Sequence, residues 1–162
     1  MNNYFRGTKD TPHHISVGAV LLDDIGKIGC HFYGPSVRSY PENVYMLMHE
    51  TIEQNESLEQ TLTRGLKEEF SAKADLIRYV GSIVSQYPNQ GVSMEKTVLY
   101  FLCRMTSIDE KRDLNDPENV SEIRWMHLDN LIEIMKKQGK THPDFDESKI
   151  LWDVKNMYGR LR

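Results

Sequence analysis

One stretch constrains the fold more than any other. ESLEQTLTRGLKEEF, residues 56–70, is an amphipathic helix pattern set among apolar runs that are mostly short and β-branched. At about 100° per residue, Leu58, Leu62, Leu66 and Phe70 fall at roughly 120°, 160°, 200° and 240°, a continuous apolar stripe. Ser57 followed three residues later by Gln60 predicts a capping box for a helix over 57–70, and Glu59 in its first turn complements the helix dipole. Two residues do not suit a plain surface helix. Gly65 costs about 1 kcal/mol relative to alanine in a helix interior, so something other than propensity selects it. Glu69 falls at about 140°, between Leu58 and Leu62. A carboxylate there points at the core or its edge and needs a metal, Arg64 or another cation to balance it.

Around this helix the strand signals are arranged on both sides. HISVGAVLL (14–22), the turn DDIGK and KIGCHFYG (27–34) read as a hairpin. VYMLM (44–48) is a third run, and after the helix come DLIRYVGSIVSQY (75–87), a polar loop PNQGVSM, EKTVLYFLCRMT (95–106) and EIRWMHL (122–128). Asp129 is positioned to cap a helix through LIEIMKKQ that Gly139 ends, and DFDESKILWDVKNMYGRL carries Ile150, Leu151, Val154, Met157 and Leu161 at helical spacing. The order β-β-β-α-β-β-β-α-α predicts an α/β sandwich, a mixed sheet with helices on both faces.

Length and charge limit what such a fold does. The 162 residues suit a single domain over 1–162, with 39% apolar and 27% charged residues in a globular balance. A formal net charge of −4 argues against a chain that wraps large nucleic acids. A small phosphorylated ligand stays open, because a metal can supply the positive charge. Cys30 and Cys103 are too few for a disulfide framework or a zinc site, and no apolar run approaches a membrane span. A cytoplasmic setting is the expectation.

Glu56, Arg64, Glu68 and Glu69 are spaced as E, seven residues, then RxxxEE. This resembles the Nudix box, G, five residues, E, seven residues, REUxEExGU, where U is a bulky aliphatic residue. The resemblance extends to the order of elements along nearly the whole chain. It implies the Nudix α/β/α sandwich and metal-dependent hydrolysis of a nucleoside diphosphate linked to another group. Glu68 and Glu69 would be the main ligands of Mg²⁺ or Mn²⁺, hard cations that take oxygen donors. Glu56 would be a peripheral ligand, and Arg64 would orient the carboxylates. Glu69, Glu118 and Arg64 are the implied catalytic groups. Glu118, in the loop before the last strand, is the first choice for general base, ahead of Glu122 and Glu50. The implied substrate is small and nucleotide-like, and a homodimer would fit the family.

The pattern also departs from the box. Its opening glycine falls on Glu50, the glutamate after the arginine is Gly65, the late glycine is Ser71 and the residue after it is Ala72. Gly65 reads either as a lost carboxylate, restorable by Gly65→Glu, or as a small residue needed for close packing. Glu68 and Arg64 read equally as an exposed i, i+4 ion pair. Two other readings follow: a Nudix-fold module that binds a nucleotide or nucleotide-sugar without cleaving it, and a partner-binding domain using the last helix with Trp152 and Tyr158. Substrate choice would lie in the loops SVRSYPEN, QYPNQGVSME and KTHPDFDES.

Overall fold

The computed structural model describes residues 3–109, 112 and 117–161, without the side chains of residues 117, 118 and 159–161. Strands β1 (His13–Leu22), β2 (Ile28–Tyr33), β3 (Val44–Met46) and β4 (Met48–Thr51) precede helix α1 (Leu58–Phe70). Strands β5 (Ala72–Asn89), β6 (Val92–Ile108) and β7 (Glu122–Met126) follow, then helices α2 (Leu128–Gln138) and α3 (Ser148–Leu161).

The strands form one mixed sheet in the order β3-β2-β1-β6-β5, with β4 on β1 and β7 on β2. The β1–β6 pair is parallel and the others are antiparallel. Because successive side chains of a strand face opposite ways, β1 serves two cores. Val17, Ala19 and Leu21 pack with Leu62, Leu66 and Phe70 of α1. Val20 and Leu22 pack on the other face with Leu131, Ile132 and Met135 of α2 and Ile150, Leu151 and Val154 of α3. The result is the expected α/β/α sandwich. No helix among the described residues is long and apolar enough to cross a membrane.

Several boundaries differ from the sequence reading. VYMLM is not one strand: β3 pairs with β2 and β4 pairs with β1, and the chain changes partner at Leu47. The Leu47 N–H, which leaves the ladder there, donates to Glu147 Oε2 at 2.7 Å. The polar loop PNQGVSM shrinks to a two-residue turn, Gln90 and Gly91, both at positive φ (49° and 78°) as a tight hairpin demands. β5 and β6 therefore run on as one long hairpin. α2 begins one residue before Asp129, with His127 at its cap, and α3 begins at Ser148 after the short 3-10 turn Pro143–Phe145.

Candidate functional site

Helix α1 starts as its sequence dictates. The Ser57 N–H donates to Gln60 Oε1 at 2.8 Å, and Ser57 Oγ accepts from the Gln60 N–H at 3.1 Å, completing the capping box. It ends at Ser71, whose left-handed φ of 52° is the conformation that favours glycine. The box pattern's late glycine falls at this position.

Arg64 is the hub of the site. Its Nε and Nη2 donate to the two oxygens of Glu56 at 2.8 and 2.9 Å, and Nη2 also donates to the Thr51 carbonyl at 2.8 Å. Its Nη1 lies 3.1 Å from Glu50 Oε1 and 3.4 Å from Glu68 Oε2. The bidentate bond from Arg64 holds the Glu56 carboxyl down at about 2, helped by the Thr61 hydroxyl and the Glu53 N–H. Glu50 shifts the other way: burial pushes it above the usual carboxylate range against the pull of Arg64, and Glu68 adds repulsion. An open groove of about 630 Å³ runs along α1 past Arg64, Lys67 and Glu68.

Glu69 lies apart from this arrangement. It is 3% exposed, and its Oε2 sits 2.6 Å from His31 Nε2 on β2. Sequence reading expected a metal, Arg64 or another cation beside this carboxylate; the structure adds a hydrogen-bond partner from the facing strand, His31. Burial pushes the His31 imidazolium down to about 3, so the ring is neutral at neutral pH. His31 Nδ1 is 2.7 Å from Ser121 Oγ. Nε2–H donating to Glu69 with Nδ1 accepting from Ser121 is the tautomer that satisfies both contacts of a neutral ring beside a carboxylate. The pair ties α1 to β2 and to the start of β7.

Gly65 is buried against β4. A methyl group placed on it would lie 2.8 Å from Glu50 Cβ, 3.1 Å from Glu50 Cγ and 3.0 Å from Met48 Sδ. Of its two readings, close packing is therefore the one this geometry favours.

A second polar cluster lies on the opposite face of β4. His49 is paired with Gly18, whose missing side chain leaves room for the Tyr100 ring. The Tyr100 hydroxyl and His49 Nε2 both reach Glu147 Oε1 by short hydrogen bonds. Glu147 is 4% exposed. Burial alone would raise its pKa, yet attraction to His49 and the hydrogen bonds from His49, Tyr100 and the Leu47 N–H lower it. These three residues line a cavity of about 410 Å³ with Tyr40, Tyr87 and Phe145. Sequence reading named the loops that carry Tyr40, Tyr87 and Glu147 but did not single out Glu147, because a buried acid just ahead of a helix leaves no periodic signal.

Of the residues that sequence reading singled out, the structure brings together Glu56, Arg64, Glu68 and Glu50, the last named there only as a weaker candidate for general base. Glu118 lies in the 3-10 turn Pro117–Val120 before β7, and its side chain is outside the described residues. Glu122 is on β7, exposed and hydrogen-bonded by Arg124 at 3.0 Å, which holds it below the usual carboxylate range. Among the described residues no three His, Cys, Asp or Glu side chains converge as a preformed cage for a metal ion. Glu56 has both oxygens committed to Arg64. Glu50 and Glu68 each keep one oxygen without a hydrogen bond among the described residues. Two carboxylates suit Mg²⁺, which keeps its waters and takes its other ligands from substrate phosphates.

Comparison with known proteins follows the same line. No curated protein matches the chain by sequence. Among solved structures, a NUDIX hydrolase from Nitrosomonas europaea is similar at TM-score 0.61 and 17% identity, covering 91% of this chain and 90% of its own. The NUDIX domain of Shewanella oneidensis NrtR, complexed with ADP ribose, is similar at TM-score 0.61 and 18% identity, covering 89% and 87%. The MutT protein of Methanosarcina mazei Go1 follows at TM-score 0.53 and 17% identity, covering 78% and 85%. At these identities the likeness concerns the fold. The NUDIX domain family model matches residues 12–146, most of the length, and on that match the chain belongs to the NUDIX domain family.

Proposed function

We propose that this single domain, spanning 1–162, is a Nudix-type hydrolase that cleaves the diphosphate of a nucleoside diphosphate linked to another group, with Mg²⁺ or Mn²⁺. The observation that carries the reading is the grouping of Glu50, Glu56 and Glu68 around Arg64 beside an open groove. Three carboxylates about one guanidinium leave an excess of negative charge, which a divalent cation and its phosphate ligands would use. Glu68 would hold the metal, with Glu56 more peripheral and engaged by Arg64. A divalent metal bound there would screen the diphosphate and lower the pKa of an attacking water. Arg64 fixes the carboxylates without touching substrate. Glu118, on the turn before β7, is the proposed general base. Glu69 is proposed as a positioning residue, which locks α1 on β2 through His31.

The 410 Å³ cavity lined by Tyr40, Tyr87 and Phe145 supports an aromatic group on the substrate, since rings of this kind stack on a base. His49 lines this cavity on the face of β4 opposite the Glu50 cluster. The bound ADP ribose of the Shewanella domain makes that compound a member of the first panel. The proposed setting is cytoplasmic and the proposed assembly a homodimer, supported by the exposed Leu76, Ile77 and Tyr79 of edge strand β5 and tested by sedimentation.

Calorimetry of nucleoside diphosphate sugars, nucleoside triphosphates and dinucleoside polyphosphates with Mg²⁺, followed by product analysis, tests the reading. Binding accompanied by metal-dependent product supports hydrolysis. Binding with no product on long incubation supports the second reading, a Nudix module that only recognises its ligand. That reading is favoured by the lack of a third free carboxylate among the described residues and by Gly65 on α1.

A further inference from the structure

Glu50 and Gly65 are a pair in space. β4 presents Glu50 on the α1 side of the sheet, opposite Val17 of β1, and α1 crosses it at Gly65. With 2.8 Å between Glu50 Cβ and a Cβ built at Gly65, no side chain fits on the helix while Glu50 keeps its place. The residue types at these positions are the reverse of the box pattern, which has glycine on the strand and glutamate on the helix. One carboxylate and one glycine are present in either arrangement, and the two positions touch.

The carboxylate on the strand is directed into the same cluster. Glu50 Oε1 accepts from its neighbour's Thr51 N–H at 2.9 Å and from Arg64 Nη1 at 3.1 Å. No hydrogen bond reaches Oε2 among the described residues. Arg64 Nη1 is also 3.4 Å from Glu68 Oε2, so one nitrogen stands between the two carboxylates and holds one oxygen of each. Glu50 is restrained by burial, with its side chain 18% exposed, whereas Glu68 is 45% exposed. A buried carboxylate and a more exposed one across a shared donor, each with one oxygen that no described residue bonds, offer two oxygen ligands to a small hard cation.

We infer that Glu50 is a metal-holding carboxylate of this site, supplied by β4 in place of the one α1 lacks at Gly65, and that Glu50 and Glu68 bind the divalent cation together. The inference rests on the proposed metal dependence but not on hydrolysis. Its test is direct Mn²⁺ binding, followed by the electron paramagnetic resonance of free Mn²⁺ or by calorimetry, with no substrate present. Glu50→Gln keeps shape and packing, so it should remain folded while Mn²⁺ affinity falls at least about tenfold. Glu50→Gly should lose affinity similarly. The exchange double variant Glu50→Gly/Gly65→Glu should regain most of it, because the carboxylate returns from the helix. A purely structural role for Glu50 as a partner of Arg64 would give no such rescue.

Wild-type affinity in Glu50→Gln overturns the inference, as does a folded wild-type chain that binds no Mn²⁺. If the double variant unfolds, Glu50→Asp takes its place, and an affinity between those of wild type and Glu50→Gln is expected. Equal affinity in Glu50→Asp and Glu50→Gln would count against it. Failure of the hydrolysis reading looks different, since it would leave Glu50-dependent Mn²⁺ binding in a protein that releases no product.

Discussion

Replacing Gly65 by alanine sets two opposing effects against each other, and the structure decides which prevails. Helix propensity alone favours the change by about 1 kcal/mol. Against it, the new methyl group would meet Glu50 Cβ at 2.8 Å and Met48 Sδ at 3.0 Å. The sulfur belongs to a flexible side chain and can yield, but Glu50 Cβ is fixed to the backbone of β4. Overpacking of this kind costs about 1–3 kcal/mol. The close Cβ contact puts Gly65→Ala toward the upper part of that range, for a net loss of about 1–2 kcal/mol. For a chain of this length that lowers Tm by about 3–6 °C. Urea unfolding should show the midpoint falling with an unchanged slope. In a Glu50→Gly background the obstruction is gone, and Gly65→Ala should turn neutral or stabilising, a coupling that a double-mutant cycle measures. A single Gly65→Ala variant as stable as wild type, or more so, would refute the packing argument.

Three further outcomes are expected. Glu69→Ala leaves the buried His31 without its carboxylate and should cost about 1–3 kcal/mol, by the same amount in Mg²⁺ and in EDTA; a loss seen only with metal would return Glu69 to the metal site. Glu56 has its carboxyl lowered to about 2, so its bond to Arg64 stabilises the fold fully above the ordinary carboxylate range and is lost as pH falls through about 2. The stability difference between wild type and Glu56→Gln should therefore be largest near neutral pH and vanish toward pH 2, and a difference independent of pH would contradict the assignment. Tyr100→Phe removes a hydroxyl that donates to the buried Glu147 and should cost about 1.5–3 kcal/mol, the range for a hydrogen bond to a charged group; thermal unfolding unchanged from wild type would show that His49 and the Leu47 N–H suffice.

What could be read in the sequence was what local rules encode. The capping box at Ser57 and Gln60, the apolar stripe of α1 and the short apolar run of β1 are each encoded within a few residues, and the fold follows from them. Arg64, Glu56 and Glu68 were recognisable because a helix and the loop leading into it fix their spacing. Glu69 was correctly placed on the buried face, but its partner was not legible, because His31 lies on a strand 38 residues away. The contact between Glu50 and Gly65 was hidden for the same reason. Each looked like a separate departure from a motif, and only the crossing of α1 over β4 makes them one feature. Glu147 was hidden by its position, since its value lies in a backbone N–H exposed where β3 hands over to β4, a break the apolar run VYMLM does not betray.

The measurement closest to the central claim is single-turnover product release from the best ligand of the panel, with Mg²⁺, Mn²⁺ or EDTA, by wild type and by Glu68→Gln. The account predicts cleavage of the diphosphate that requires metal, stops in EDTA and falls steeply in Glu68→Gln while that variant keeps its Tm. Cleavage that persists in EDTA, or at the wild-type rate in Glu68→Gln, would contradict it.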